Sequence, residues 1–244
     1  LRILRAFRFS SQLGFEIEEK TLFATSTCAP LLKNIARERV GVEFKKLLTF
    51  DGAAYSLQKM IEMGVWQNLF CNVSPSNDII SKISTLKSGN FATRLAALVF
   101  EYSECEKEAF LTSLRLSNHE KKLVLRLCTV KDFKISPSCD NFPTSARRFL
   151  HLYNNIYDDA KQMLEFFFED TQGEFALVLE AEKRKKHPLL VSDLAIKGGD
   201  IAPLCNGDFS MVGKILEMLL ERVLEHPDLN DKQKLLEIAK KELS

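Results

Sequence analysis

Apolar residues recur every three to four positions along almost the whole of this 244-residue chain, and no alternating run is long enough to predict a β-strand. The pattern predicts helices at 1–13, 18–25, 35–48, 53–63, 78–87, 91–100, 104–114, 117–129, 145–152, 156–167, 173–185, 211–225 and 231–242. With 45% hydrophobic and 27% charged residues, the composition is typical of a globular protein. The length is enough for two or three helical modules. The sequence therefore predicts an all-α fold.

The first predicted helix carries three arginines on one face. Arg2, Arg5 and Arg8 are spaced by three residues and fall within an arc of about 120°. The opposite side is apolar and would hold the helix against a core; it consists of Ile3, Leu4 and Phe7. Planar, permanently charged guanidinium groups bind phosphates and base edges, so this row is a candidate nucleotide site. An ordinary solvated helix face is the alternative.

The charge of the chain is unevenly distributed. Its 34 Lys and Arg residues nearly balance 33 Asp and Glu residues, so the overall charge does not indicate a nucleic-acid partner. The first 50 residues hold nine Lys or Arg against five Glu, a net charge of +4. A local basic surface of this kind can bind phosphates on a nearly neutral protein.

Six cysteines are scattered at positions 28, 71, 105, 128, 139 and 205, with no Cys-x-x-Cys pair and no metal-ligand spacing with the four histidines. This spacing predicts reduced thiols, no metal site and a cytoplasmic location. We find no signal peptide, and no apolar run approaches the roughly 18 residues of a membrane span. The chain starts without Met inside a helical motif, which suggests that it is a fragment.

Residues 1–9, LRILRAFRF, followed by GFEI at 14–17, resemble the neck-helix motif of class II tRNA nucleotidyltransferases. This family comprises the CCA-adding enzymes and their bacterial poly(A) polymerase relatives, and its motif is Glu-Asp-x-x-Arg-x-x-Arg-Ala-x-Arg-Phe. The resemblance implies that Arg2 hydrogen-bonds the incoming base, while Arg5 and Arg8 help to hold the nucleotide. The Glu-Asp pair of the motif would lie just before Leu1 and is absent.

Two further blocks are similar to the same family, in the same order. Residues 35–48 resemble its Glu-Arg-x-x-x-Glu segment, which packs beside the first helix, and here Arg39 and Glu43 are expected to form an i,i+4 ion pair. The segments 188–201, 212–225 and 227–239 resemble the tail domain of the bacterial enzymes. The three blocks together bracket nearly the whole chain.

The resemblance implies an elongated all-α arrangement with a neck at 1–65, a body at 66–150 and a tail at 151–244. The complete enzyme would add C, C and A to tRNA 3′ ends from CTP and ATP, with Mg²⁺. The metal-binding Asp-x-Asp pair and a Gly-Gly-x-x-x-Arg-Asp stretch belong to an N-terminal head domain in that family, and neither pattern occurs here. The chain alone is therefore expected to be inactive and to need the missing head, in cis or as a separate chain.

Several other motifs are weaker candidates for binding or catalysis. The basic cluster of Lys183, Arg184, Lys185 and Lys186 either meets tRNA phosphates or forms a solvated helix end. The adjacent Asp158 and Asp159 would point about 100° apart on a helix, which predicts a solvated face. The segment 198–200, GGD, predicts a turn, and the aromatic residues Trp66 and Phe166–Phe168 are expected to pack in the core.

Two alternatives to CCA addition remain at this point. A poly(A) polymerase or another A-adding relative shares the arginine motif and differs in the nucleotides that it incorporates. A non-catalytic helical module that binds RNA, or a helical scaffold without any RNA role, is the second alternative. A pure scaffold predicts that neutralising Arg2, Arg5 and Arg8 changes neither RNA nor nucleotide binding.

Overall fold

The computed structural model describes residues 1–70, 73–87, 89–135, 141–168, 172–205 and 209–243, and within these ranges it contains helices and no strand. The helices are α1 Arg2–Leu13, α2 Glu19–Cys28, α3 Arg37–Leu48, α4 Ala53–Glu62, α5 Val65–Leu69, α6 Asn77–Lys82, α7 Phe91–Val99, α8 Glu104–Ser113, α9 Asn118–Cys128, α10 Phe142–Tyr153, α11 Tyr157–Phe167, α12 Gln172–Lys185, α13 Gly198–Ile201, α14 Phe209–Glu225 and α15 Lys232–Leu243. Each predicted helix overlaps one of these, so the all-α prediction is confirmed. In the described part of the chain, no helix is long and apolar enough to cross a membrane.

The chain divides into two compact units. Unit 1 comprises Leu1–Asp132 and Asp158–Glu169, and unit 2 comprises Phe133–Tyr157 and Asp170–Ser244. The division into neck, body and tail stays a prediction. The described cysteines Cys28, Cys105, Cys128 and Cys205 are free thiols, while Cys71 and Cys139 lie outside the described residues.

An aromatic cluster forms the centre of unit 1. The rings of Phe44, Trp66, Phe70 and Phe110 contact one another with centroid separations of 4.8–6.3 Å. Trp66 is fully buried, and its indole N–H donates to the carbonyl of Val73 at 3.0 Å. The prediction that Trp66 packs in the core is therefore confirmed, and this ring is not available for stacking on bases.

Helix α1 is fixed on the core of unit 1 by its apolar side and by two buried hydroxyls. Leu4 and Phe7 are buried, as the pattern predicted. The Ser11 hydroxyl donates to the carbonyl of Leu47 at 2.8 Å, and the Ser56 hydroxyl donates to the carbonyl of Phe7 at 2.9 Å. Because these bonds join α1 to α3 and α4, the direction in which the arginine row points is set by tertiary structure.

A buried arginine holds the end of α3. The Arg94 guanidinium is 1% exposed and donates to the carbonyls of Leu48 at 3.0 Å, of Leu86 at 2.9 Å and of Phe50. Burial lowers the pKa of Arg94, and the nearby Asp51 carboxylate opposes that shift. These bonds tie α7 to the last residue of α3 and to the loops that follow α3 and precede α7.

Unit 2 has its own core and an internal ion network. Its apolar centre consists of Leu194, Ile196, Ile201, Cys205, Val212, Ile215, Leu219, Leu220, Val223, Leu224, Leu235 and Ala239. The Arg147 guanidinium contacts the buried Glu182 carboxylate at 2.7 Å and also donates to the carbonyl of Leu224. Arg147 thereby joins α10 to both α12 and α14.

Two local predictions are wrong. The predicted turn at 198–200 is part of the short helix α13, where the Asp200 carboxylate accepts the backbone N–H of Lys197 at 3.0 Å and pairs with Lys232 at 2.7 Å. Asp159, predicted to be solvated, is partly buried and accepts a hydrogen bond from the Asn90 side chain. Because Asn90 caps α7, Asp159 orients a helix cap.

Candidate functional site

The three arginines of α1 lie on one face of the helix but differ in exposure. Arg2 is exposed, the Arg5 side chain is 53% exposed, and the Arg8 side chain is only 11% exposed. The difference follows from position, because Arg8 lies at the side of the helix that faces α3. Arg2 and Arg5 are thus available to a ligand, whereas Arg8 is largely enclosed by protein.

Glu43 on α3 anchors this row. Its carboxylate contacts the Arg8 Nε at 2.7 Å and the Arg5 Nε at 3.9 Å, and its own side chain is 13% exposed. The predicted pair between Arg39 and Glu43 is wrong, because α1 and α3 pack side by side and Glu43 faces the arginines of α1. The resemblance implied that residues 35–48 pack beside the first helix, but nothing in the sequence indicated that Glu43 pairs with the arginines of that helix.

Arg8 makes two further contacts on its own helix. Its Nη1 donates to the Gln12 Oε1 at 2.9 Å, and its guanidinium carbon lies 3.9 Å from the centroid of the Phe9 ring. Three groups therefore hold this guanidinium. The orientation of the Arg8 guanidinium is thereby fixed, and its positive charge stays close to the exposed side chains of Arg2 and Arg5.

An open cavity of about 510 Å³ lies at the C-terminal end of α1. It is lined by Ser11, Gln12, Leu13, Gly14, Thr49, Phe50, Asp51, Gly52 and Gly89. Gly52 allows the segment after α3 to lie close to α1, since a Cβ at Gly52 would lie 2.8 Å from the carbonyl oxygen of Ser11. No motif in the sequence indicated this cavity, because its lining is brought together from three separate segments.

The basic cluster at the end of α12 is partly engaged within unit 2. The Lys183 ammonium lies 3.5 Å from the centroid of the Tyr157 ring, and Lys185 pairs with the buried Glu182 at 2.6 Å. Arg184 and Lys186 are exposed. Burial alone would raise the pKa of Glu182, but hydrogen bonds from Lys185 and Arg147 outweigh it, so the pKa is lowered. The cluster thus combines a structural role with exposed cations.

Among the residues that the structure describes, no group of three or more His, Cys, Asp or Glu side chains is placed to hold a metal ion. Burial raises the pKa of Asp159, and the hydrogen bond from Asn90 opposes that rise. The Asp159 carboxylate is therefore bound to Asn90, the residue that caps α7.

A family model described as the probable RNA and SrmB-binding site of polymerase A matches residues 14–76. The CCA-adding enzyme of Bacillus cytotoxicus is 36% identical over 138 residues, which cover 55% of this chain and 34% of that enzyme. The CCA-adding enzyme of Lactococcus lactis subsp. cremoris is 27% identical over 250 aligned positions, covering 100% of this chain. This chain resembles CCA-adding enzymes along its entire length.

The three-dimensional comparison agrees with the sequence comparison. The crystal structure of the Bacillus stearothermophilus CCA-adding enzyme in complex with CTP matches 99% of this chain with a TM-score of 0.77, at 21% sequence identity. At that identity, the match shows a shared helical fold. The chain spans 58% of the length of the Lactococcus CCA-adding enzyme and 62% of the Bacillus stearothermophilus CCA-adding enzyme.

Proposed function

We propose that this chain is the C-terminal portion of a CCA-adding enzyme, which adds C, C and A to tRNA 3′ ends from CTP and ATP. The observation that carries the proposal is the likeness to CCA-adding enzymes over the entire chain. The arginine face of α1, with its anchor on α3, supports it at the level of individual residues. The partners are then tRNA, CTP, ATP and a catalytic head domain.

The three arginines take different roles in this proposal. Arg2 contacts the base edge through two parallel N–H donors, which the fixed guanidinium plane makes possible. Arg5 neutralises and orients the nucleotide phosphates. Arg8 contributes its charge without direct contact to the ligand, since its side chain is only 11% exposed, its Nε lies against Glu43 and its Nη1 donates to Gln12. Glu43 thereby fixes the enclosed Arg8 and lies 3.9 Å from the Nε of the exposed Arg5.

Mg²⁺ is assigned to the head domain. The described residues of this chain do not fit a two-metal nucleotidyl-transfer site, which needs closely placed carboxylates. We therefore propose no chemical step on this chain. Its contribution is selection of the nucleotide and binding of the tRNA, with Arg184 and Lys186 as candidate phosphate contacts in unit 2.

Substitution of Arg2 by Lys tests base selection in the complete protein. Lys keeps the charge but loses the bidentate geometry, so discrimination of CTP over UTP should fall roughly tenfold while tRNA affinity stays unchanged. The matched control is Arg222→Lys, because Arg222 is an exposed helical arginine like Arg2 but lies in unit 2. Unchanged discrimination in Arg2→Lys would contradict the role of Arg2.

A poly(A) polymerase is the second candidate function. It is favoured by the family model over residues 14–76, whose description names polymerase A. The nucleotides incorporated by the complete protein separate the two candidates. Addition of C, C and A that stops after three residues supports the CCA-adding enzyme, whereas a tail of A residues alone supports the poly(A) polymerase.

A further inference from the structure

The end of α12 places a lysine where the backbone favours glycine. Lys186 directly follows the last residue of α12 and has a φ of 54°, in the left-handed region. Helices often end with a residue in this conformation, and that residue is usually glycine because a Cβ makes the conformation unfavourable. The helix has to end here, since Pro188 follows and the residue before a proline disfavours helical backbone. A glycine would end α12 at a lower cost in free energy than this lysine does.

A buried carboxylate holds the backbone on both sides of Lys186. The Glu182 side chain is 1% exposed; it accepts a hydrogen bond from the Lys185 ammonium at 2.6 Å and lies 3.5 Å from the Nε2 of His187. The Arg147 guanidinium fixes the same carboxylate from α10 at 2.7 Å. The residues immediately before and after Lys186 are therefore tied to one fixed group. Unfavourable backbone conformations persist where the surrounding contacts determine them in this way.

The contacts of the Lys186 side chain do not explain its conformation. Lys186 is exposed, and within the described ranges its ammonium forms no ion pair and no hydrogen bond. Among the residues that the structure describes, Arg115 is the only other residue besides glycine with a positive φ, at 52°. Its guanidinium pairs with Glu38 at 3.3 Å. The charge of Lys186 has no such partner and is open to an anionic ligand.

We propose that Lys186 is held in the left-handed conformation for its ammonium, which contacts a phosphate of the bound tRNA, and that Glu182 is the positioning residue. The inference rests on the proposed function, in which Lys186 is a candidate phosphate contact. Because the backbone on both sides is fixed, the lysine loses less conformational entropy when it binds. A purely structural role is the alternative, since a cation near a helix C-terminus interacts favourably with the helix dipole.

Lys186→Gly distinguishes the two roles by the sign of its effect on stability. Relief of strain should lower the unfolding equilibrium constant about threefold and shift the urea midpoint upward, as followed by circular dichroism. A dipole role predicts a downward shift, because the favourable charge is lost. Lys186→Arg keeps both the charge and the Cβ, so it should change neither stability nor binding.

Binding is measured with a tRNA that ends just before CCA, at several salt concentrations. Lys186→Gly should weaken binding about three- to tenfold and reduce the slope of log affinity against log salt by about one, because one phosphate contact is lost. Arg115→Gly is the matched control and should leave the affinity unchanged, since this guanidinium already pairs with Glu38.

Glu182→Gln tests the positioning role. Loss of a negative charge beside cations would by itself strengthen RNA binding, whereas loss of the anchor of Lys186 should weaken it. In the Lys186→Gly background, Glu182→Gln should cause no further weakening, because the ammonium that it positions is already absent. Circular dichroism verifies the fold of every variant, and tighter binding by Glu182→Gln would refute its positioning role.

The outcomes separate this inference from the proposed function. If Lys186→Gly leaves tRNA affinity unchanged while Arg184→Gln weakens it, the inference is refuted and the proposed function stands. A urea midpoint that does not rise in Lys186→Gly, or an equal loss of binding in Arg115→Gly, refutes the inference as well. If the unmodified chain does not bind tRNA, the inference and the proposed role in tRNA binding both fail.

Discussion

The ion pair between Arg8 and Glu43 should contribute measurably to the stability of unit 1. The two side chains are 11% and 13% exposed, and their charged atoms lie 2.7 Å apart. Exposed ion pairs contribute at most about 1 kcal/mol, whereas removing one partner of a buried pair costs about 3–5 kcal/mol. Glu43→Gln removes the charge but keeps a hydrogen-bond acceptor, so we expect a loss of about 2 kcal/mol in the free energy of unfolding.

Urea unfolding followed by the fluorescence of Trp66 measures this loss in the relevant unit, since Trp66 is the only tryptophan of the chain and lies in the core of unit 1. Glu38→Gln is a control on the same helix. The Glu38 carboxylate pairs with Arg115 at 3.3 Å, but both side chains are more than half exposed, so the loss should stay below about 0.5 kcal/mol. Equal losses for Glu43→Gln and Glu38→Gln would refute the argument that enclosure makes the Arg8 pair stronger.

Two further predictions concern packing and pH. Gly41→Ala should destabilise unit 1 by about 1–3 kcal/mol, because the new Cβ would lie 2.1 Å from the carbonyl oxygen of Leu114. Gly213→Ala should instead stabilise its helix by up to about 1 kcal/mol, because the new Cβ would meet no side chain or other segment within 4 Å. Urea unfolding followed by circular dichroism checks the sign of both effects. The pKa of Glu182 is lowered in the folded state, so its ionised carboxylate stabilises the folded protein at pH values above the ordinary pKa of 4.5. This stabilisation is lost as the pH falls through the lower pKa of the folded state. Thermal unfolding from pH 7 to pH 3 should show this loss, and Glu182→Gln should reduce it; an identical pH profile in that variant would contradict the assignment.

Local sequence signals were sufficient to predict most helices, because the information for a helix is short-range. The capping box at the start of α9 is an example: the Ser117 hydroxyl accepts the backbone N–H of Glu120 at 3.2 Å, and the Glu120 carboxylate accepts the backbone N–H of Ser117 at 2.8 Å. The buried face of α1 could also be predicted, since Leu4 and Phe7 recur at helical spacing.

Contacts between distant segments could not be predicted in the same way. Glu43 has Arg39 one turn before it on the same helix, and only the packing of α1 against α3 shows that Arg8 is its partner. Arg94 lies in a run of apolar residues, and nothing in that run indicates that it binds three carbonyls from other segments. The candidate site depends on such contacts, so the sequence identified its arginines but not the residue that anchors them.

The central proposal, that this chain binds tRNA as part of a CCA-adding enzyme, is tested most directly by tRNA binding. The measurement is the affinity of this chain for a tRNA that ends just before CCA, at several salt concentrations, compared with an unstructured RNA of equal length. The proposal predicts tighter binding to the tRNA, with an affinity that falls as salt rises because phosphate contacts release counterions. Equal affinity for both RNAs, or no binding to either, would contradict a role for this chain in tRNA recognition.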